Sequence, residues 1–128
     1  MILKKIPSET FYKLGRVLLG IYFLLPGISK FLLFESNFDL VVERQVPFPT
    51  FSLFLIGVLQ IIFGLLLILG RKVSLSSLVL IIITLLINFY IHDFWNMSGE
   101  ESQQHETQNF IKNLGILAGL LVLTKDRN

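Results

Sequence analysis

The chain of 128 residues is 53% hydrophobic and only 16% charged, against roughly 25% charged in soluble domains. With a mean hydropathy of +0.72, a soluble core of this length cannot hide so much apolar surface, so the solvent is lipid and the length allows one domain. The net charge of +2 says little alone, whereas the absence of Cys excludes disulfides, thiolate metal sites and a dithiol relay, and with them the quinone-coupled thiol oxidases as a class.

The segment up to Lys13 is short and basic, and Ser8-Glu9-Thr10 suits a helix entry. The first apolar run, 14–34, can cross about 30 Å of hydrocarbon at about 1.5 Å per residue. It is too long for a signal-peptide core and no small-x-small cleavage site follows it, so it reads as an uncleaved span. Pro26-Gly27 inside it predicts a kink or a packing point. Glu35 to Pro49 reads as a polar loop. Pro47 and Pro49 cannot both sit inside a helix, so the second span begins near Thr50 and covers 51–69. Gly70 followed by Arg71 and Lys72 is a helix stop.

The third span, 75–94, follows so short a connection that it must run antiparallel beside the second. Asn96 to Thr107 reads as a polar, acidic loop. The fourth span, 108–124, has an uninterrupted apolar core only from Leu114 to Leu123. That length alone suits a surface or re-entrant helix. Gly115, Ala118 and Gly119 suit close helix packing, however, and burial against three other helices favours spanning.

The expected fold is therefore all-α, a four-transmembrane-helix bundle. With the N-terminus inside, the inner side holds Lys4, Lys5, Lys13, Arg16, Arg71, Lys72, Lys125 and Arg127. The outer side holds only Lys30, Arg44 and Lys112, together with most of the acids. This bias places both termini in the cytoplasm.

Polar residues inside spans are costly and mark candidate sites. Lys30 and Lys112 each fall about one helical turn inside the outer boundary. His92 and Trp95 fall at the outer end of span three, with Asn88 on the face of His92 at i−4, and Asn113 adjoins Lys112. Gln60 falls near the midplane. Each has a plainer reading. Trp95, Phe94 and Tyr90 suit an interfacial aromatic belt, and Lys30 can snorkel to lipid phosphates. Asn88, Asn113 and Gln60 can serve as interhelical hydrogen bonds. Arg16 suits a topology anchor. Lys112 near a helix N-terminus opposes the helix dipole and calls for an anion, either Asp93 or a ligand. His92 can act as a ligand, a proton carrier or a hydrogen-bonding roof. A haem site lacks a second well-placed histidine, and His92 with His105 matches no known zinc spacing, so no metal is expected.

Pro26-Gly27-Ile28-Ser29-Lys30-Phe31 resembles the glycine-x-x-lysine ending of the first helix in DoxX-like membrane proteins. Val46-Pro47-Phe48-Pro49, Gln60 with Gly64 and Gly70, His92-Asp93-Phe94-Trp95, and Phe110-Ile111-Lys112-Asn113-Leu114 through Gly119 are similar in the same order. The resemblance implies a four-helix bundle in the bacterial plasma membrane. Such relatives include a membrane subunit of a thiosulfate:quinone oxidoreductase and members linked to oxidative and thiol stress that act with soluble partners. Position 60 in such proteins is commonly glutamate. Gln60 is neutral, so it cannot accept a proton or balance Lys30 or Lys112.

Three functions are weighed. The first is a redox-associated subunit that binds a quinone through Lys30, Lys112, Asn113 and His92, with Gln60, Asn88 and Trp95 nearby. The second is a non-catalytic scaffold that docks a partner protein through acidic outer loops, with an oligomer of the chain as another form of partner. The third is a small transporter, disfavoured because the chain lacks an embedded carboxylate and balanced loop charge.

Overall fold

Four long helices and one short one account for most of the chain. The structure, a computed structural model, describes residues 5–126, so the topology cations Lys4 and Arg127 lie outside the described residues. The elements are α1 (Ser8–Leu32), α2 (Phe34–Glu43), α3 (Pro49–Leu69), α4 (Val73–Tyr90), a 3-10 turn (Phe94–Asn96) and α5 (Gln103–Leu123). No strand occurs among the described residues.

Three of these helices are long and apolar enough to cross a membrane: α1, α3, and α4 with its extension to Asn96. The fifth is as long as α3 but begins with the polar stretch Gln103-Gln104-His105-Glu106-Thr107-Gln108-Asn109. Large apolar side chains such as Leu18, Leu25, Ile82 and Val122 stand exposed around the outside. A surface of that kind belongs against hydrocarbon.

α1 packs most tightly on α3, and glycines make this possible. A Cβ on Gly64 would lie 2.9 Å from the Gly20 carbonyl oxygen, and one on Gly20 would lie 2.7 Å from the Gly64 oxygen. About two turns further along α1, a Cβ on Gly27 would meet Gln60 Cβ at 3.0 Å. Such contacts bring backbones close where lipid supplies no hydrophobic drive. α1 continues unbroken through Pro26, so Pro26-Gly27 serves as a packing point. On α5, a Cβ on Gly119 would lie 3.2 Å from Leu19, whereas one on Gly115, expected at a packing face, would meet nothing within 4 Å.

Phe23, Leu67, Val73, Leu80, Ile83, Leu120 and Leu123 form the buried core shared by α1, α3, α4 and α5. At one end of the bundle, Tyr12 of α1 donates a hydrogen bond to Asp126 beyond α5. Ser74 Oγ of α4 donates to the Thr124 carbonyl at 2.9 Å. Arg16 Nε donates to the Leu67 carbonyl at 2.8 Å, at the end of α3, where the same oxygen also accepts the Gly70 amide at 3.2 Å. Gly70 ends that helix at φ 73°, the left-handed conformation that glycine adopts at least cost. Arg16, read from sequence as an anchor, is thus also a helix cap.

Several boundaries differ from the sequence reading. The expected loop from Glu35 to Pro49 contains α2. Phe34, Phe38 and Val41 recur on one helical face; Phe34 stacks on Phe38 at 5.8 Å and tilts against Phe54 of α3 at 5.7 Å. α2 is therefore an amphipathic helix, with Glu35, Asp39 and Glu43 outward. α4 stops at Tyr90 rather than Phe94, because the Ile91 and His92 amides both bond back to the Ile87 carbonyl. α5 starts at Gln103, five residues before the expected 108, because polar residues at a bundle end can still be helical.

Candidate functional site

The end of the bundle opposite Tyr12 carries a cavity of about 230 Å³. Its apolar wall comes from Phe23, Leu53 and Ile87 and its cover from Asn37, Leu40 and Val41 of α2. Into it come Tyr22 and Lys30 of α1, Gln60 of α3, Thr84 of α4, His92 and Asn113 of α5. Four residues from separate parts of the sequence reading, Lys30, Gln60, His92 and Asn113, thus share one chamber. Gln60 joins Lys30 because the close seam at Gly27 brings α3 against the last turns of α1.

Most of the polar lining is already paired. Thr84 Oγ1 donates to the Leu80 carbonyl at 2.7 Å, and Asn37 Nδ2 to the Leu33 carbonyl at 2.9 Å. Tyr22 donates to Asn113 Oδ1 at 2.8 Å, and Asn113 Nδ2 donates to Asn88 Oδ1 at 2.9 Å. Asn88 Nδ2 in turn reaches the Phe110 carbonyl at 3.3 Å. This chain ties α1, α4 and α5 together through two asparagines that are 2% and 6% exposed.

Lys30 and Gln60 are different. Gln60 is 2% exposed and its Oε1 has no hydrogen-bond partner among the described residues. Lys30 forms no ion pair with any described residue. An unmet buried acceptor costs about 1–3 kcal/mol, and an ammonium in an apolar wall wants an acceptor or an anion. Lys30 lies in the last turn of α1, where a cation is favoured by the helix dipole.

Above the chamber sits an ionic cluster that the sequence reading did not assemble. Arg44, just past α2, reaches Asp93 Oδ1 at 3.3 Å with Nη1 and Glu106 Oε2 at 3.4 Å with Nη2. His92 Nδ1 lies 3.3 Å from the same Glu106 oxygen. Asn109 donates to Glu106 Oε1 at 3.0 Å, and Asn96 to Asp93 Oδ2 at 3.0 Å. The cluster joins α2, the segment after α4, and α5. His92 belongs to both layers: it lines the chamber and contacts the cluster. It does so from a loop, so the expected helical face shared with Asn88 does not exist. Asn88 reaches the site through Asn113 instead.

Two expected site residues lie elsewhere. Trp95 is 45% exposed and packs edge-on against Phe94 at 5.3 Å and Phe110 at 5.7 Å, outside the chamber. Lys112 is exposed and does not line the cavity. With α5 starting at Gln103 it sits in mid-helix, so the dipole argument for an anionic partner lapses. Asp93, its expected partner, is held by Arg44. Sequence reasoning missed Arg44, Glu106 and Tyr22. The usable signal for Arg44 was the Phe34, Phe38, Val41 spacing, which carries a helix across the bundle and delivers Arg44 at its end. Among the described residues, no three His, Asp or Glu side chains group to hold a metal ion.

An all-helical bundle with three apolar spanning-length helices and an apolar exterior is a multi-pass integral membrane protein. The DoxX family model matches residues 11–93, more than half of the chain, and the chain belongs to the DoxX family. The match takes in α1 to α4 and the His92-Asp93 corner; Phe110 to Gly119 lies beyond it. Searches of curated proteins and of solved structures found no match.

Proposed function

We propose that this chain is a redox-associated membrane subunit that binds a quinone in the chamber between α1, α3, α4 and α5. One observation carries the reading: Lys30 and Gln60 Oε1 have no polar partner among the described residues, and both residues line the same cavity. The residues fit such a ligand. The Lys30 ammonium donates to a carbonyl oxygen and stabilises negative charge that develops there. The Gln60 amide offers both a donor and an acceptor, which suits an oxygen in its carbonyl or its hydroxyl form. Tyr22, Phe23 and the aliphatic wall supply the apolar contacts typical of small-molecule sites. A bound quinone would supply reversible electron and proton transfer, chemistry for which this chain has no thiol of its own.

In this reading α5 is the fourth span, both termini are cytoplasmic, and the membrane is the bacterial plasma membrane. Support for the fourth span comes from its reach, since Glu106 meets Arg44 at one end of the bundle and Thr124 meets Ser74 at the other. The eight-to-three cation bias supports the orientation. Electrons then pass to or from a soluble or membrane partner.

Binding of a short-chain quinone analogue to purified protein tests the reading. Lys30→Met should weaken binding about tenfold or more, and Lys112→Ala should leave it unchanged because Lys112 is exposed. Equal affinity in wild type and Lys30→Met would sink the assignment.

A second reading, a scaffold that docks a partner protein, draws on the exposed Glu35, Asp39 and Glu43 of α2 and on Glu100 and Glu101. Partner capture that survives Lys30→Met but fails on neutralising these acids would favour it.

A further inference from the structure

Two cavities meet at Lys30. One is the polar chamber. The other, about 280 Å³, lies between α3, α4 and the connection from α2, and is walled by Pro47, Leu55, Ile56, Leu86 and Tyr90. Apart from Lys30 and the Tyr90 hydroxyl, its one polar lining group is Ser52, whose hydroxyl already donates to the Pro47 carbonyl at 2.6 Å. Lys30, Val41, Leu53, Ile87 and Ile91 line both cavities, so the two adjoin along a shared wall. Leu55, Leu86 and Tyr90 are 42%, 45% and 40% exposed, so the apolar groove opens to the hydrocarbon side of the bundle.

We infer that this groove holds the hydrocarbon tail of the ligand whose polar head Lys30 and Gln60 hold, which makes the ligand an amphiphile with one long chain. The inference rests on the head-site reading above. Three observations carry it. Polarity is segregated: unmet polar groups face the chamber, and the groove is almost wholly hydrocarbon. The cavities adjoin at Lys30, whose methylenes can line the groove while its ammonium turns to the head. Size agrees as well, since each cavity alone falls below the roughly 300 Å³ floor of small-molecule sites and the pair exceeds it.

The test uses the full chain in phosphatidylcholine nanodiscs. The probe is a quinone carrying a decyl chain that ends in a photoreactive diazirine, with labelled residues mapped by mass spectrometry. Labelling should concentrate on Leu55, Leu86 and their groove neighbours and be displaced by excess tail-less quinone. Lys30→Met should reduce it about tenfold or more, the loss expected for one hydrogen bond to a charged group. Leu86→Trp fills the groove and should remove the labelling while tail-less quinone still binds. Labelling scattered over Leu18 and Val58, with tail-less quinone still bound, overturns the tail site and leaves the head site standing. Groove labelling that survives both Lys30→Met and competition marks bulk lipid and also overturns it. Failure of tail-less quinone to bind wild type overturns the head-site reading, and this inference falls with it.

Discussion

Arg44 and Glu106, 62 residues apart in sequence, meet as Nη2 and Oε2 at 3.4 Å. The contact fastens α2 across the top of the chamber. With Asp93 on its other nitrogen, Arg44 is the one arginine or lysine side chain paired with these two carboxylates among the described residues. The three side chains are only 9–16% exposed, so solvent cannot replace a missing partner.

Arg44→Met should therefore cost roughly 3 kcal/mol, the low end for breaking a buried pair because the cluster keeps some exposure. Reversible unfolding in detergent reads this directly. Lys112→Met on the exposed face of α5 is the matched control and should shift stability by less than about 0.5 kcal/mol. Similar losses in both variants would contradict the assignment of the cluster.

The α1–α3 seam gives a prediction of opposite signs. Gly64→Ala places a methyl 2.9 Å from the Gly20 carbonyl, where only backbone can yield, and should destabilise by about 1–3 kcal/mol. Gly15→Ala on the same pair of helices meets nothing within 4 Å and should stabilise by about 0.5–1 kcal/mol through helix propensity. Thermal melts of the two variants decide it.

Gln60 should show a conflict between stability and function. Replacing it with Leu removes an acceptor that has no partner, so Gln60→Leu should raise stability by about 1 kcal/mol or more. The same variant should lose quinone-analogue binding. A variant that is both less stable and fully able to bind would refute this account of the residue.

Asn88 and Asn113 call for a double-mutant cycle. Each single change to Leu leaves one polar group unmet on the other amide, the Asn88 oxygen or the Asn113 nitrogen, while the double change removes both groups. Their coupling should be about 0.6–1.7 kcal/mol, the range measured for hydrogen bonds between membrane helices. Additive losses would show that the 2.9 Å contact carries no energy.

Topology is open to a simple assay, because the chain has no Cys. Single cysteines at Lys72 and Lys125 should react only from the cytoplasmic side and one at Ser102 only from the outside. Labelling of Lys125→Cys from outside would eliminate the fourth span.

The parts of the site that were legible in sequence are those that violate a one-dimensional rule. Lys30, Gln60, Asn88 and Asn113 stand out because polar groups are costly in a hydrocarbon span, whatever the tertiary arrangement. Arg44 and Glu106 could not stand out, since charges in a segment read as a loop break no rule. Only the α2 helix, formed on its Phe34–Phe38 face, carries Arg44 inward, and the start of α5 at Gln103 sets Glu106 against it. Lys112 failed in the opposite sense. Its sequence neighbour Asn113 is buried, but successive residues on a helix point about 100° apart, so Lys112 faces outward.

The membrane setting, the all-helical class, the DoxX family and three apolar helices of spanning length were thus determined by composition, apolar run length and ordered motifs. These properties need no knowledge of which helix faces which. The tertiary structure alone decided which polar groups meet, because that depends on close approach. Gly20, Gly27, Gly57 and Gly64 let α1 and α3 come together, and this brings Gln60 up beside Lys30. It also decided which groups remain unmet, and in a membrane protein those define the place where a ligand has something to satisfy.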